Sequence, residues 1–348
     1  MSEANKVVIK QNSNNYKVFN RLYWLWIKSF IFSPLNMFLG VVIIIFTQFI
    51  WLSFKSTDPF IFASALGSLI VRNGCHTFYR TINMSRITGF TERLTYSKAN
   101  NYLRPISHLA ASLTINFIVG LIMLTLTVIF FKEQRQLVKN VNWYMFISGA
   151  FLLWLLSILI CYTVYIFYKN YMLGNIVVII IFMLCYNLLG LAFPYQSIAK
   201  LEWLNLILYF LPQRYMMNVM QAGWVNATNL VYSSPEFPSS SVDFKLTTHL
   251  WVPYLVTFGF IFFFFLLSFM HINKKAKQFK KDSYGASVIA KLSNKYIRDL
   301  KRCSSISELN SLRDKHFEET GRTDLTKKKV TKSTIFKKNI QNKEKKVR

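Results

Sequence analysis

Aspartate and glutamate are missing from every long apolar stretch of this chain. A carrier driven by protons or sodium usually needs an intramembrane carboxylate to hold its coupling ion, so another energy source is expected. No GxxxxGK[ST] phosphate loop occurs, so the chain is not expected to bind ATP in the usual way by itself. HExxH and paired intramembrane aspartates are also missing, which argues against an intramembrane hydrolase. Only four cysteines occur, Cys75, Cys161, Cys185 and Cys303, with no CxxC spacing. Neither a disulfide framework nor a zinc site follows from them. The first twenty or so residues are polar and lack a small-residue cleavage site, so a removable signal peptide is not expected.

What is present divides sharply along the chain. Hydrophobic residues make up 53% of the 348, yet the formal net charge is +27. The apolar runs fall within residues 36–272 and the lysines crowd residues 273–348. A crossing helix needs about 20 mostly apolar residues. Six segments qualify: 36–54, 60–83, 106–131, 143–168, 171–194 and 250–272. Only Lys169 and Asn170 separate the fourth from the fifth, which predicts a tight helical hairpin. The expected fold class is therefore an all-α integral membrane protein with six transmembrane helices.

Lysine and arginine in the loops set the orientation. With the N-terminus inside, 35 basic residues are cytoplasmic and 7 are external; without the tail the split is 12 to 7. Both ends are thus expected in the cytoplasm. Ahead of the first span, Tyr16, Phe19, Tyr23, Trp26, Ile27 and Phe30 recur at helical spacing, with Lys17, Arg21 and Lys28 elsewhere on the wheel. Such a helix suits the cytoplasmic interface, apolar face down. Pro34 then turns the chain into the membrane. Residues 1–35 form this N-terminal piece and residues 36–272 the transmembrane domain.

Within the spans, Arg72 is the most informative residue. A guanidinium at membrane depth costs about 2.5–3.5 kcal/mol unless it snorkels or faces water or protein. On α-helical spacing it shares a face with Cys75, His76, Tyr79 and Asn83, a stripe suited to a translocation path or a dimer seam. The alternative is a second span that ends early, with Arg72 snorkelling to the cytoplasmic surface. Gln48, Asn116, Asn175, Tyr186 and Asn187 are expected to hydrogen-bond between helices. Trp51, Trp143, Trp203 and Trp251 read as interfacial belt residues. Between the last two spans, residues 195–249 are too apolar for an ordinary loop: 204–210 and 215–219 predict re-entrant or interfacial helices resting on the outer leaflet. The tail, residues 273–348, carries 23 basic and 8 acidic residues. Residues 286–320 hold enough apolar side chains for one or two amphipathic helices, whereas 325–348 read as disordered. Anionic lipid is the expected partner of those charges, ahead of ribosomal RNA.

Two local stretches resemble the membrane subunit of type-2 ABC exporters. The first is Arg86-Ile87-Thr88-Gly89-Phe90-Thr91-Glu92-Arg93-Leu94, similar to that family's Gly-x-x-Glu-(Arg)-Leu run after span two. The second passes from Gly190 and Pro194 through Trp203 to Leu211-Pro212 and Tyr215, similar to the family pattern at the outer end of span five. The family's Ser-Pro pair after the first run is replaced here by Thr95-Tyr96-Ser97. The resemblance covers roughly residues 15–272 and leaves the basic tail unmatched.

That resemblance implies an interfacial elbow helix, cytosolic termini and a coupling loop at 86–104 carrying Gly89, Glu92, Arg93 and Leu94. It also implies an extracellular re-entrant segment carrying Gly190, Pro194, Trp203, Pro212 and Tyr215. The implied partners are separate ABC ATPase subunits, which would hold ATP and magnesium, and a second permease copy, alike or different. No cofactor is expected on this chain, and no catalysis by it alone. The expected function is export of an amphiphilic substrate, a drug, lipid or peptide, across the cell membrane. A membrane-protein insertase with a ribosome-binding basic tail is the rival reading. A long cytosolic hairpin after the first core span would favour that rival, and none is present.

Overall fold

The computed structural model describes residues 3–55, 58–91, 102–168, 170–193, 198, 200–233, 241–246, 249–271, 299 and 305–320. The chain forms two compact units, Met1–Phe269 and Met270–Arg348. In the second unit the helix Ile306–Thr320 is described; apart from Asp299 and Ser305, the rest of the basic tail lies outside the described residues.

Helix α1, Glu3–Ile31, is a single helix that stops short of Ser33-Pro34. Ser33 Oγ accepts the Asn36 backbone N–H at 3.4 Å, and Pro34 opens α2 (Pro34–Phe54). A first-turn proline is tolerated because its missing N–H has no intrahelical partner anyway. Leu22, Trp26, Ile27 and Phe30 of α1 are buried. Part of the apolar face is therefore covered by protein, chiefly α4 (Leu103–Phe130), while Trp24, Leu25, Ile31 and Phe32 remain exposed.

Among the described residues five helices are long and apolar enough to cross a membrane: α2, α4, α6 (Trp143–Phe167), α7 (Tyr171–Leu188) and α10 (Trp251–His271). The turn between α6 and α7 is as tight as expected, and Asn170 Oδ1 caps α7 by accepting the Met172 N–H at 2.9 Å. Helix α7 stops at Leu188, six residues before the expected end at 194. Gly190, at φ +100, takes the chain out of the helix there, in a conformation side-chain-bearing residues rarely adopt. A short helix, α5 (Lys132–Val138), joins α4 to α6.

Helix α3, residues 61–87, falls outside that apolar set and is nevertheless the hub of the bundle. Every residue from Ile61 to Val71 is buried. A helix walled by other helices does not need the uniform apolarity that lipid contact demands; packing and polar contacts hold it instead. It does not stop at Arg72 but continues to Ile87 through a π-helical segment, Asn73–Thr77. A second π segment, Phe38–Val42 in α2, lies alongside. Asn73 Nδ2 bridges the two, donating to the Gly40 carbonyl at 3.4 Å and to Asn116 Oδ1 of α4 at 3.1 Å. Thr77 Oγ1 donates back to Asn73 Oδ1 at 3.3 Å.

The segment after α7 folds into α8 (Glu202–Leu208), α9 (Gln213–Trp224) and a two-stranded antiparallel ribbon. In the ribbon, β1 (Val231–Tyr232) pairs with β2 (Val242–Asp243), Val231 opposite Asp243. Helix α9 is buried at every residue except the half-buried Tyr215. It doubles back into the bundle between α3 and α6.

Candidate functional site

Three parts of the fold bear on function: the wedge formed by α9, the open face of α3, and the loop that follows α3.

The wedge is possible because glycines let backbones approach. A Cβ on Gly67 would fall on Met217 Sδ; on Gly149 it would lie 3.2 Å from the Met216 carbonyl; on Gly223, 2.7 Å from the Phe146 nitrogen. Small residues at such crossings are how helices pack closely in a membrane. Along α3, Gly67 faces Met217, Ser64 faces Gln221, and the Phe62 and Trp224 rings lie 4.4 Å apart, so α9 runs antiparallel to α3.

Several polar side chains of α9 have internal partners, whereas both polar atoms of the buried Gln213 amide have none. Gln221 Nε2 donates to Ser64 Oγ at 2.8 Å and to the Leu189 carbonyl, left over at the end of α7, at 2.7 Å. Trp224 Nε1 donates to Gln134 Oε1 at 3.3 Å, and Gln134 Nε2 donates to the Asp58 carbonyl at 3.1 Å. Asp58 Oδ1 accepts the Phe60 N–H at 3.0 Å ahead of α3, and burial raises its carboxyl above the usual carboxylate range. Arg214, fully buried, donates to the Asn205 carbonyl at 2.7 Å, to Asn205 Oδ1 at 3.1 Å and to the Phe244 carbonyl at 3.3 Å. Its guanidinium also lies 4.4 Å from the Tyr209 ring. One side chain thus joins α8, α9 and the ribbon.

The sequence-derived stripe on α3 is split by the structure. Cys75, Tyr79 and Asn83 point inward: Cys75 Sγ lies 3.3 Å from the Ser157 carbonyl, Tyr79 stacks on Tyr171, and Asn83 Nδ2 donates to the Tyr79 carbonyl at 3.0 Å. Arg72 and His76 are only half-buried, and they are joined by Arg80, which the sequence reading did not single out. Consecutive residues rotate less in the wide turn of a π segment than in an α-helix, so the phase shifts within Asn73–Thr77. The open line runs 72, 76, 80. The Arg72 guanidinium lies 5.0 Å from the Phe182 ring of α7, and its Nε has no hydrogen-bond partner.

Beyond Arg80, a cavity of about 330 Å³ lies between α1 and the end of α3. Trp26, Ser29, Ser33, Arg80, Ser85 and Thr88 are among its lining residues. Gly89, at φ +69, ends α3, its N–H reaching the Arg86 carbonyl at 3.1 Å. Ser85 Oγ receives Arg104 Nη2 at 3.3 Å and lies 3.3 Å from Thr91 Oγ1, so one side chain ties together both ends of the loop. Glu92, Arg93 and Leu94 lie outside the described residues, as does Pro194. Trp203 is exposed, Pro212 precedes α9, and Tyr215 Oη donates to the Tyr209 carbonyl at 2.9 Å.

Of the other polar span residues, Gln48 donates to Thr127 Oγ1 of α4 and Asn116 accepts from Asn73. Asn187 instead donates to Met183 within its own helix at 2.8 Å, and Asn175 Oδ1 is buried with no partner. Among the described residues no cluster of metal-ligating side chains occurs. Compared with known proteins, the chain matches no family model, no curated protein and no solved structure.

Proposed function

We propose that the chain is the membrane subunit of an ATP-driven exporter, paired with a second permease copy and powered by separate ATPase subunits. The observation that carries this reading is α9, a helix buried at every residue but Tyr215 that packs back into the bundle between the fifth and sixth apolar segments. A rigid wedge of this kind suits a gate that seals a polar path until the surrounding helices move. In this reading α3 is the sixth crossing helix, and α1 and the loop 86–104 face the cytoplasm. The end of the bundle that holds Asp58, Gln134 and Trp224 then faces outward.

Motion enters at the loop. ATP binding with magnesium closes the partner subunits, the loop around Gly89, Glu92, Arg93 and Leu94 is displaced, and Ser85 passes the shift to α3 through its contacts with Thr91 and Arg104. The two π segments around Asn73 give α3 a place to bend, as such segments do at functional sites. The chain itself supplies the path and not the hydrolysis. The test is affinity purification from the native membrane. An ATPase subunit should accompany the wild-type chain and be lost from Gly89→Pro and Glu92→Arg variants that still fold. Equal recovery with those variants would remove the loop from the mechanism.

A further inference from the structure

We infer that Arg72, His76 and Arg80 form a binding line for the acidic headgroup, phosphate or carboxylate, of an amphiphile. The inference names the substrate class of the exporter reading and rests on it for the direction of movement, but not for binding.

From residue 61 to 80, α3 is packed away except at Arg72, His76 and Arg80, the polar groups that its open face presents. The eight steps from Arg72 to Arg80 span roughly 12 Å at 1.5 Å per residue. The two guanidinium groups stand on either side of the His76 imidazole, which supplies a hydrogen-bonding group and not a third charge. No carboxylate lies on any of the apolar helices to neutralise the guanidinium groups. Among the described residues neither arginine makes an ion pair. Guanidinium charge without a counter-anion at membrane depth is costly to hold. An anion arriving from outside the chain relieves that cost.

The surroundings select an amphiphile over a free ion. The Phe182 ring lies 5.0 Å from the Arg72 guanidinium, Tyr186 acts on it electrostatically from the same helix, and the flanks of α7 are apolar and exposed. At the other end Arg80 borders the 330 Å³ cavity, whose lining mixes Ser29, Ser33 and Ser85 with Trp26 and Met84. Hydroxyls beside an arginine suit a phosphate or carboxylate, and the aromatic wall suits a chain. A headgroup entering at Arg80 therefore has His76 and Arg72 as further polar contacts along one helix.

The probe is dodecyl phosphate, titrated into the purified full chain in neutral maltoside detergent, with retention read by native mass spectrometry. Wild type should retain it. Arg72→Gln/Arg80→Gln should bind about tenfold or more weakly, whereas Arg72→Lys/Arg80→Lys should stay within about threefold, since the charge is kept. Replacing Lys274, Lys275, Lys277, Lys280 and Lys281 by glutamine should change nothing, which separates this line from the basic tail. Unchanged thermal stability of the double glutamine variant in the same detergent shows that a weaker signal is not unfolding. Two results overturn the inference: equal binding by the double glutamine variant, or equal binding of dodecyl trimethylammonium. Displacement of the probe by equimolar inorganic phosphate overturns the amphiphile assignment, because the site would then hold a free anion. Binding that fails while the ATPase subunit still accompanies the chain refutes this inference alone. Binding that holds in a chain with no ATPase partner refutes the exporter reading instead.

Discussion

Replacing Arg214 tests how the external segment is held. From a fully buried position the guanidinium donates to the Asn205 carbonyl and Oδ1 and to the Phe244 carbonyl. Hydrogen bonds to a charged group contribute roughly 1.5–3 kcal/mol each, and an abandoned buried acceptor costs about 1–3 kcal/mol. Against that, burying a cation carries a penalty of several kcal/mol that truncation relieves. The sum leaves Arg214→Met destabilised by roughly 2–4 kcal/mol, which for a unit of this size lowers the melting temperature by about 5–15 °C. Arg214→Lys keeps the charge but cannot reproduce a planar fork that reaches two separate carbonyls. It should fall between the two, recovering less than half of the loss. Thermal unfolding in detergent, followed by intrinsic tryptophan fluorescence, gives the numbers. A melting temperature for Arg214→Met within 1 °C of wild type would show that the hydrogen bonds only repay desolvation. A lysine variant equal to wild type would show that charge, and not the fork, is what the site requires.

Three further outcomes are expected. Gly223→Ala places a Cβ 2.7 Å from the Phe146 backbone nitrogen, which cannot yield as a flexible side chain would; it should cost about 1–3 kcal/mol, while Gly259→Ala, with open space around it, should melt like wild type. Asp58 has its carboxyl raised by burial, so its contribution to stability is greatest below about pH 3.8 and is lost as the pH rises through the raised value. Asp58→Asn should accordingly be neutral or stabilising at pH 7 in a melting assay, whereas Asp58→Ala should lose roughly 1 kcal/mol with the hydrogen bond from the Phe60 N–H. In a chain whose native cysteines have been replaced, single cysteines at 72, 76 and 80 should react with a thiol reagent faster than those at 75, 79 and 83. Equal rates at all six would remove the open face of α3.

The apolar helices were legible because lipid-facing positions must be apolar throughout, and each of α2, α4, α6, α7 and α10 meets that condition over its length. The α6–α7 hairpin was legible from two polar residues between long apolar runs. The end of α7 was not, because apolar sequence continues to residue 193 and the backbone turn at Gly190 leaves no mark in hydropathy. The packing of α9 was legible only in part. The apolar run 215–219 marked a re-entrant or interfacial helix, but the partner that lets Gln221 go inside, Ser64, lies 157 residues away. The stripe on α3 was half legible: Arg72 and His76 were found, but α-helical phase carried the line to residues 75, 79 and 83. The π segment turns those inward and puts Arg80 on the open face. Asn73 went unnoticed because its worth lies in joining Gly40 and Asn116 across three helices.

ATP hydrolysis tests the central claim most directly. The chain, purified with its accompanying subunits and reconstituted in liposomes, should hydrolyse ATP, and an added acidic amphiphile should raise the rate in wild type but not in Arg72→Gln/Arg80→Gln. The chain purified alone should hydrolyse none. Hydrolysis by the isolated chain, or its isolation from native membranes without any ATPase subunit, would contradict the account.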